Sequence, residues 1–266
     1  MRLLSLVLSL VCTTVSAHEL WLEPLNFQIE SGGTLQANLV NGENFEGTRL
    51  AYIPQRFEHF IVRNEGGIAS VSGRVGDVPA VNQRTQTDGL HVVAYQARNA
   101  TVSYETWEKF QKFVDHKDLG DQVRAEHEAR NLPLSDFTEV YSRYSKALFG
   151  VGDAQGSDAR LGLTTELVAL TNPYTDDLSQ GMQVALFYQG EPRPNEQIEV
   201  FERTTSGSVA VFLVRTNDAG IASVPVKREH SYMLDAVVLR EPSSRVAADT
   251  GGVWETLWAN MTFAVP

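Results

Sequence analysis

The sequence predicts a mainly β protein: two antiparallel β-sandwiches with a helical insert between them. Three observations carry that expectation. Residues 18–104 read as short strands separated by turn signals. Residues 105–150 switch to a helical period. Residues 161–266 return to short strands.

The chain opens on a leader, residues 1–17. Arg2 supplies a positive start, Leu3 to Cys12 an apolar core, and Val15-Ser16-Ala17 a small-residue cleavage site. The apolar run is too short to span a bilayer. Cys12 raises the alternative of a lipid anchor, but Val11 is a poor fit to the small residue such processing prefers. Cleavage after Ala17 makes His18 the first residue and removes the single cysteine. Thiolate metal sites, a Cys nucleophile and disulfides are then excluded. About 249 residues remain, long enough to bury a sizeable core without disulfides. The predicted location is the periplasm or the exterior, with no integral membrane segment.

Formal charge is −11, and loss of Arg2 makes it −12. A nucleic-acid partner is therefore not expected, since a basic patch is its usual footprint. Acidity of this size is chiefly a statement about solubility.

In the first sandwich, 18–104, Gly32-Gly33 separates Phe27–Ile29 from Leu35–Val40, and Asn41-Gly42 reads as a turn. Phe57–Val62 ends at Asn64-Glu65-Gly66-Gly67. Asp88-Gly89 precedes the apolar run Leu90–Tyr95.

In the insert, 105–150, Trp107, Phe110, Phe113 and Val114 fall on one helical face. The polar stretch 116–131 is expected to continue helically until Pro133. A second helix is predicted from an N-cap at Ser135. Phe137, Val140, Tyr141, Tyr144 and Leu148 form its stripe, Arg143 and Lys146 lie toward its C-terminus, and Gly150 takes the C′ position. A linker, 151–160, follows.

The last 106 positions, 161–266, supply roughly seven strands, a count that fits an immunoglobulin-like or transthyretin-like sandwich. Asn217-Asp218-Ala219-Gly220 reads as a hairpin turn.

Chemistry is sparse. There is no P-loop, no Gly-x-Gly-x-x-Gly and no Gly-x-Ser-x-Gly elbow, so no enzyme motif emerges. None of the six histidines sits in a His-x-x-x-His pattern. His116 and His127 lie too far apart on one helix to share an ion, about 16 Å by helical rise, and read as solvated. His18 differs by position. A free α-amine and the Nδ1 of the same imidazole chelate one transition ion, and a second histidine completes the set; imidazole suits copper, nickel and zinc. His91 and His230 are the candidate partners, each in or beside a strand. Trp254 and Trp258 share a strand face, which suits a core or a sugar-stacking platform. Asp176-Asp177 reads as turn chemistry.

The opening His18-Glu19-Leu20-Trp21-Leu22-Glu23-Pro24 resembles that of a bacterial periplasmic family of unknown function whose members are often associated with nickel or cobalt uptake. Similar to its signatures are Glu139–Leu148, Leu161-Gly162-Leu163 leading into Glu166-Leu167 and Asn172-Pro173, and the closing Trp254–Phe263. The resemblance covers most of the mature chain. It implies an extracytoplasmic protein of β-sandwich domains with a helical insert, and it does not imply an enzyme. Arg143 and Lys146 match the central signature and are expected to anchor the insert to a sandwich through carboxylates.

The functional expectation is a non-catalytic periplasmic protein that binds a divalent transition metal (nickel, cobalt or copper) through His18, with His91 and His230 as further ligands. The alternatives are a structural or interaction module with an envelope protein partner, and a carbohydrate-binding sandwich. A copper-dependent oxidative enzyme is a remote extension of the first.

Overall fold

The computed structural model describes residues 18–266; the leader, with Cys12, lies outside the described residues. The protein is mainly β and sandwich-like. Its backbone is a ten-stranded sheet in the order Val209–Arg215, Gln197–Arg203, Ser231–Arg240, Gly252–Ala264, Phe137–Val151, Gly89–Ala97, Phe57–Asn64, Gly67–Ser70. Ala100–Tyr104 and Gln28–Ile29 also pair with Phe137–Val151. Two four-stranded sheets pack on it. One comprises Glu19–Pro24, Thr34–Glu43, Glu46–Leu50 and Val81–Arg84. The other comprises Thr165–Ala169, Met182–Tyr188, Glu191–Pro192 and Ile221–Val224.

The two small sheets cover opposite faces. Along Phe137–Val151, Ala147, Phe149 and Val151 pack toward the first small sheet, whereas Leu148 packs toward the second. This strand, hereafter the hub, is hydrogen-bonded on both edges. It runs parallel to Gly252–Ala264 and antiparallel to Gly89–Ala97.

The hub corrects the predicted second helix. Phe137–Val151 is buried on both faces along nearly its whole length. A strand covered on both sides loses the polar/apolar alternation that marks a half-exposed one. Phe137, Tyr141, Tyr144 and Leu148 then mimic a helical stripe by spacing alone. Asp136 has φ 53°, left-handed rather than helical. Gly150 is no helix cap: a Cβ there would lie 2.9 Å from Ala154 Cβ and 3.0 Å from the Tyr174 ring, so glycine permits a close approach.

Two helices do form between residues 105 and 136, α1 (Trp107–His116) and α2 (Val123–Ala129). The expected stripe of α1 is buried, against Phe137, Trp254 and Trp258. Two turn expectations also change. Asn41 and Gly42 lie inside Thr34–Glu43, where any Cβ on Gly42 would strike the Glu46 backbone. The turn falls instead at Asn44 and Phe45, both with positive φ. The Asn217–Gly220 turn is not a hairpin: it carries the chain from the ten-stranded sheet into the second small sheet.

The strand Glu19–Pro24 meets the large sheet along its free edge. Leu22 N–H donates to Ser145 Oγ (3.0 Å), and the Thr262 hydroxyl donates to Leu22 O (2.7 Å). Its alternating side chains separate to two sides: Leu20 and Leu22 join one core cluster, Trp21 joins another with Phe201 and Met233. Glu19 lies on the same face of the strand as Trp21, and that places its carboxylate inside the molecule.

Candidate functional site

Across one face of the large sheet runs a row of polar residues at matched register: Glu199 beside Asp235, Asp235 beside Asn260, Asn260 beside Ser145. All four are buried. On the same face Phe201 and Met233 lie on one side and Val237 and Trp258 on the other. Glu19 reaches this row from the edge-docked strand, and Lys117 from the C-cap of α1.

Lys117 Nζ sits among three carboxylates: 2.6 Å from Glu199 Oε2, 3.0 Å from Asp235 Oδ2 and 3.2 Å from Glu19 Oε1. It also lies 4.9 Å from the centre of the Trp258 ring. At the rim, His116 Nε2 is 3.3 Å from Glu199 Oε1, with the imidazole 62% exposed. Among the described residues, Glu19, Glu199 and Asp235 are the one group of three metal-type donors converging within 4.8 Å.

The electrostatics follow from burial. Desolvation pushes the Glu19 carboxyl up to about 7, against the pull of Lys117. It raises Asp235 as well. Burial alone would lower Lys117, but Asp235, Glu19 and Glu199 together hold its ammonium above the ordinary range. Arg143 stacks over Trp258 (4.0 Å) and Tyr141 (4.6 Å) and donates through Nη2 to the His18 carbonyl (2.7 Å). Among the described residues, Arg143 Nε and Nη1, Asp235 Oδ1, Asn260 Nδ2 and Trp21 Nε1 have no hydrogen-bond partner.

A second buried ion cluster on the opposite face is fully satisfied. Lys146 Nζ contacts Asp158 (2.7 Å) and Glu166 (3.2 Å). The four carboxylate oxygens accept from the backbone N–H groups of Ala159, Ala169, Leu161 and Leu163. It ties the segment 158–166 to the hub. Arg143 and Lys146 therefore do act as anchors, but from a strand, and only Lys146 through carboxylates.

The predicted ligands His18, His91 and His230 are not brought into one donor set among the described residues. His18 is half-exposed, with Nε2 3.5 Å from Glu43. His91 is buried with both ring nitrogens engaged: Nδ1 donates to Gly89 O (3.1 Å), and Nε2 accepts from the Thr85 hydroxyl (2.8 Å) and the Asn64 amide (2.9 Å). Burial holds it below its ordinary pKa. His230 Nδ1 pairs with Glu202 at 2.6 Å.

His127, expected in solvent, is buried instead. Its Nε2–H donates to Pro133 O (2.8 Å), and its Nδ1 accepts from Trp254 Nε1 (3.0 Å). Trp254 and Trp258 are 2% and 1% exposed; core packing removes them as a sugar platform.

Lys117 and Glu199 carry no distinguishing signal in the sequence. Asp235 offered one, a charge inside the otherwise apolar run Tyr232–Leu239, where an unpaired carboxylate is costly to bury.

None of the curated proteins matches the chain. A solved structure described as a tetra-tandem repeat in the extending region of a large adhesion protein is similar at 14% identity and a TM-score of 0.20, over 93% of this chain and 49% of that one. The chain thus spans about half that structure's length, and a likeness this small bears on neither fold nor role. No described helix is long and apolar enough to cross a membrane. The family model of a domain of unknown function, DUF4198, matches residues 15–240, and the chain belongs to that family.

Proposed function

We propose that this is a non-catalytic binding protein of the extracytoplasmic space. It takes a divalent transition metal, nickel, cobalt or copper, at an amino terminus formed by His18 after cleavage at Ala17. The observation that carries this reading is how His18 is held. The buried Arg143 guanidinium fixes its carbonyl at 2.7 Å, and Glu43 stands 3.5 Å from Nε2. A carboxylate beside Nε2 favours the tautomer with its proton there, which leaves the Nδ1 lone pair free. Nδ1 and the α-amine of the same residue then close a chelate ring on one ion. Glu43 then orients the imidazole from its Nε2 side, outside the chelate itself.

The test is calorimetry on the mature chain with Ni2+ and Cu2+. One ion per chain is expected. His18→Ala, or one alanine added ahead of His18, weakens binding about tenfold or more, and Glu43→Gln does so by about tenfold. Unchanged affinity in the first two variants removes His18 from the account.

One observation favours an interaction module as the second reading. Val209–Arg215 is an edge strand of the large sheet, with Val211 and Leu213 45% and 57% exposed. Such an edge offers unpaired backbone groups and apolar side chains to a partner strand. Recovery of one envelope protein by cross-linking from this strand, with no metal bound, supports it.

A further inference from the structure

The terminal chelate does not account for the interior cage, whose three carboxylates come from Glu19–Pro24, Gln197–Arg203 and Ser231–Arg240. We propose that Glu19, Glu199 and Asp235 form a second, internal cation site. A divalent ion of the Mn2+ or Co2+ type enters it in exchange for the Lys117 ammonium.

Three features carry this. First, Lys117 Nζ lies within 2.6–3.2 Å of one oxygen from each carboxylate, the central position an ion would take. Second, the cage is not completed by the protein. Asp235 is 2% exposed, yet Oδ1, on the same carboxylate that faces Lys117, has no partner among the described residues. The Lys146 cluster shows what a purely structural ion cluster looks like in this chain: Asp158 and Glu166 each receive backbone N–H groups on both oxygens. Third, the charges fit an exchange. Three carboxylates outnumber Lys117 and the neighbouring Arg143 by one, and a divalent ion in place of the ammonium cancels that excess.

Lys117 is the C-cap of α1, and the chain turns directly after it through Asp118 (φ 53°) and Gly120 (φ 105°). The exposed His116 imidazole stands at the rim beside Glu199. Three carboxylates suit an oxygen-preferring ion better than copper.

The test uses the mature chain carrying His18→Ala, which removes the terminal chelate, titrated with Mn2+ and read by electron paramagnetic resonance. One Mn2+ per chain is expected. Adding Glu199→Gln weakens it about tenfold or more, and adding Lys117→Met strengthens it by a similar factor and makes the melting temperature rise with Mn2+. Three results overturn the proposal: no Mn2+ bound by the His18→Ala chain, Mn2+ binding that a folded Glu199→Gln chain retains in full, or a folded Lys117→Met chain with unchanged affinity. The two sites fail separately. Nickel lost on His18→Ala with Mn2+ retained supports both, whereas Mn2+ binding without nickel binding at His18 removes only the terminal one.

Discussion

The roles of single residues here are set by what each buried polar atom touches. His91 has no place for a second proton: one nitrogen donates to Gly89 O, the other accepts from Thr85 and Asn64. Burial keeps its folded pKa below the ordinary 6.5. The unfolded chain therefore takes up a proton as pH falls past that value while the native chain does not. Stability is fully present above about pH 6.5 and is lost as pH falls toward the depressed native pKa. The melting temperature, followed by circular dichroism from about pH 7 to about pH 5, should fall more steeply in the wild type than in His91→Asn. An equal slope in the two would assign the acid sensitivity to other groups. Lys146 is the second case. Lys146→Met strands Asp158 and Glu166 in the core, with an expected loss of about 3–5 kcal/mol, read as a drop in melting temperature of roughly 10 °C.

At the scale of elements, the hub strand decides most. It carries Ser145 and Arg143 toward the polar row, Lys146 toward the opposite cluster, and Ala147 and Phe149 into the first sandwich core. Two substitutions probe its fit. Gly150→Val places side-chain atoms where Ala154 and Tyr174 already approach a Cβ position within about 3 Å; overpacking of this kind costs about 1–3 kcal/mol, seen as a lower urea midpoint. Ser145→Ala removes the acceptor of the buried Leu22 N–H, with an expected cost of about 1–3 kcal/mol. Faster amide hydrogen exchange at Leu22 than at Leu39 in that variant would show that the strand Glu19–Pro24 is held down there.

At the scale of the molecule, the large sheet joins stretches that lie far apart in the chain. The strand Gly252–Ala264 pairs with the hub from Thr138 to Ala147, and its apolar residues Ala259, Met261 and Phe263 share one core with Leu148 and Leu90. A fragment of residues 161–266 would expose that edge and lose those contacts. It should give dispersed amide signals in NMR only when residues 18–160 are added in trans. A well-dispersed spectrum from the fragment alone would show that the second sandwich needs no hub.

What the sequence determined by itself was local. The β character, the α1 stripe of Trp107, Phe110, Phe113 and Val114, and the turn at Glu65-Gly66 follow from period and turn chemistry over a few residues, and each is present in the structure. The motif His18–Pro24 likewise marked the strand that docks on the large sheet. Only tertiary structure decided the hub and the cage. A strand buried on both faces carries no two-residue alternation, so the spacing in Phe137–Val151 imitates a helix, and its neighbours on both edges and both faces make it a strand. Lys117, Glu199 and Asp235 stand 36 to 118 positions apart. Each looks like an ordinary charge in its own neighbourhood, and only sheet register and the α1 cap place them around one point.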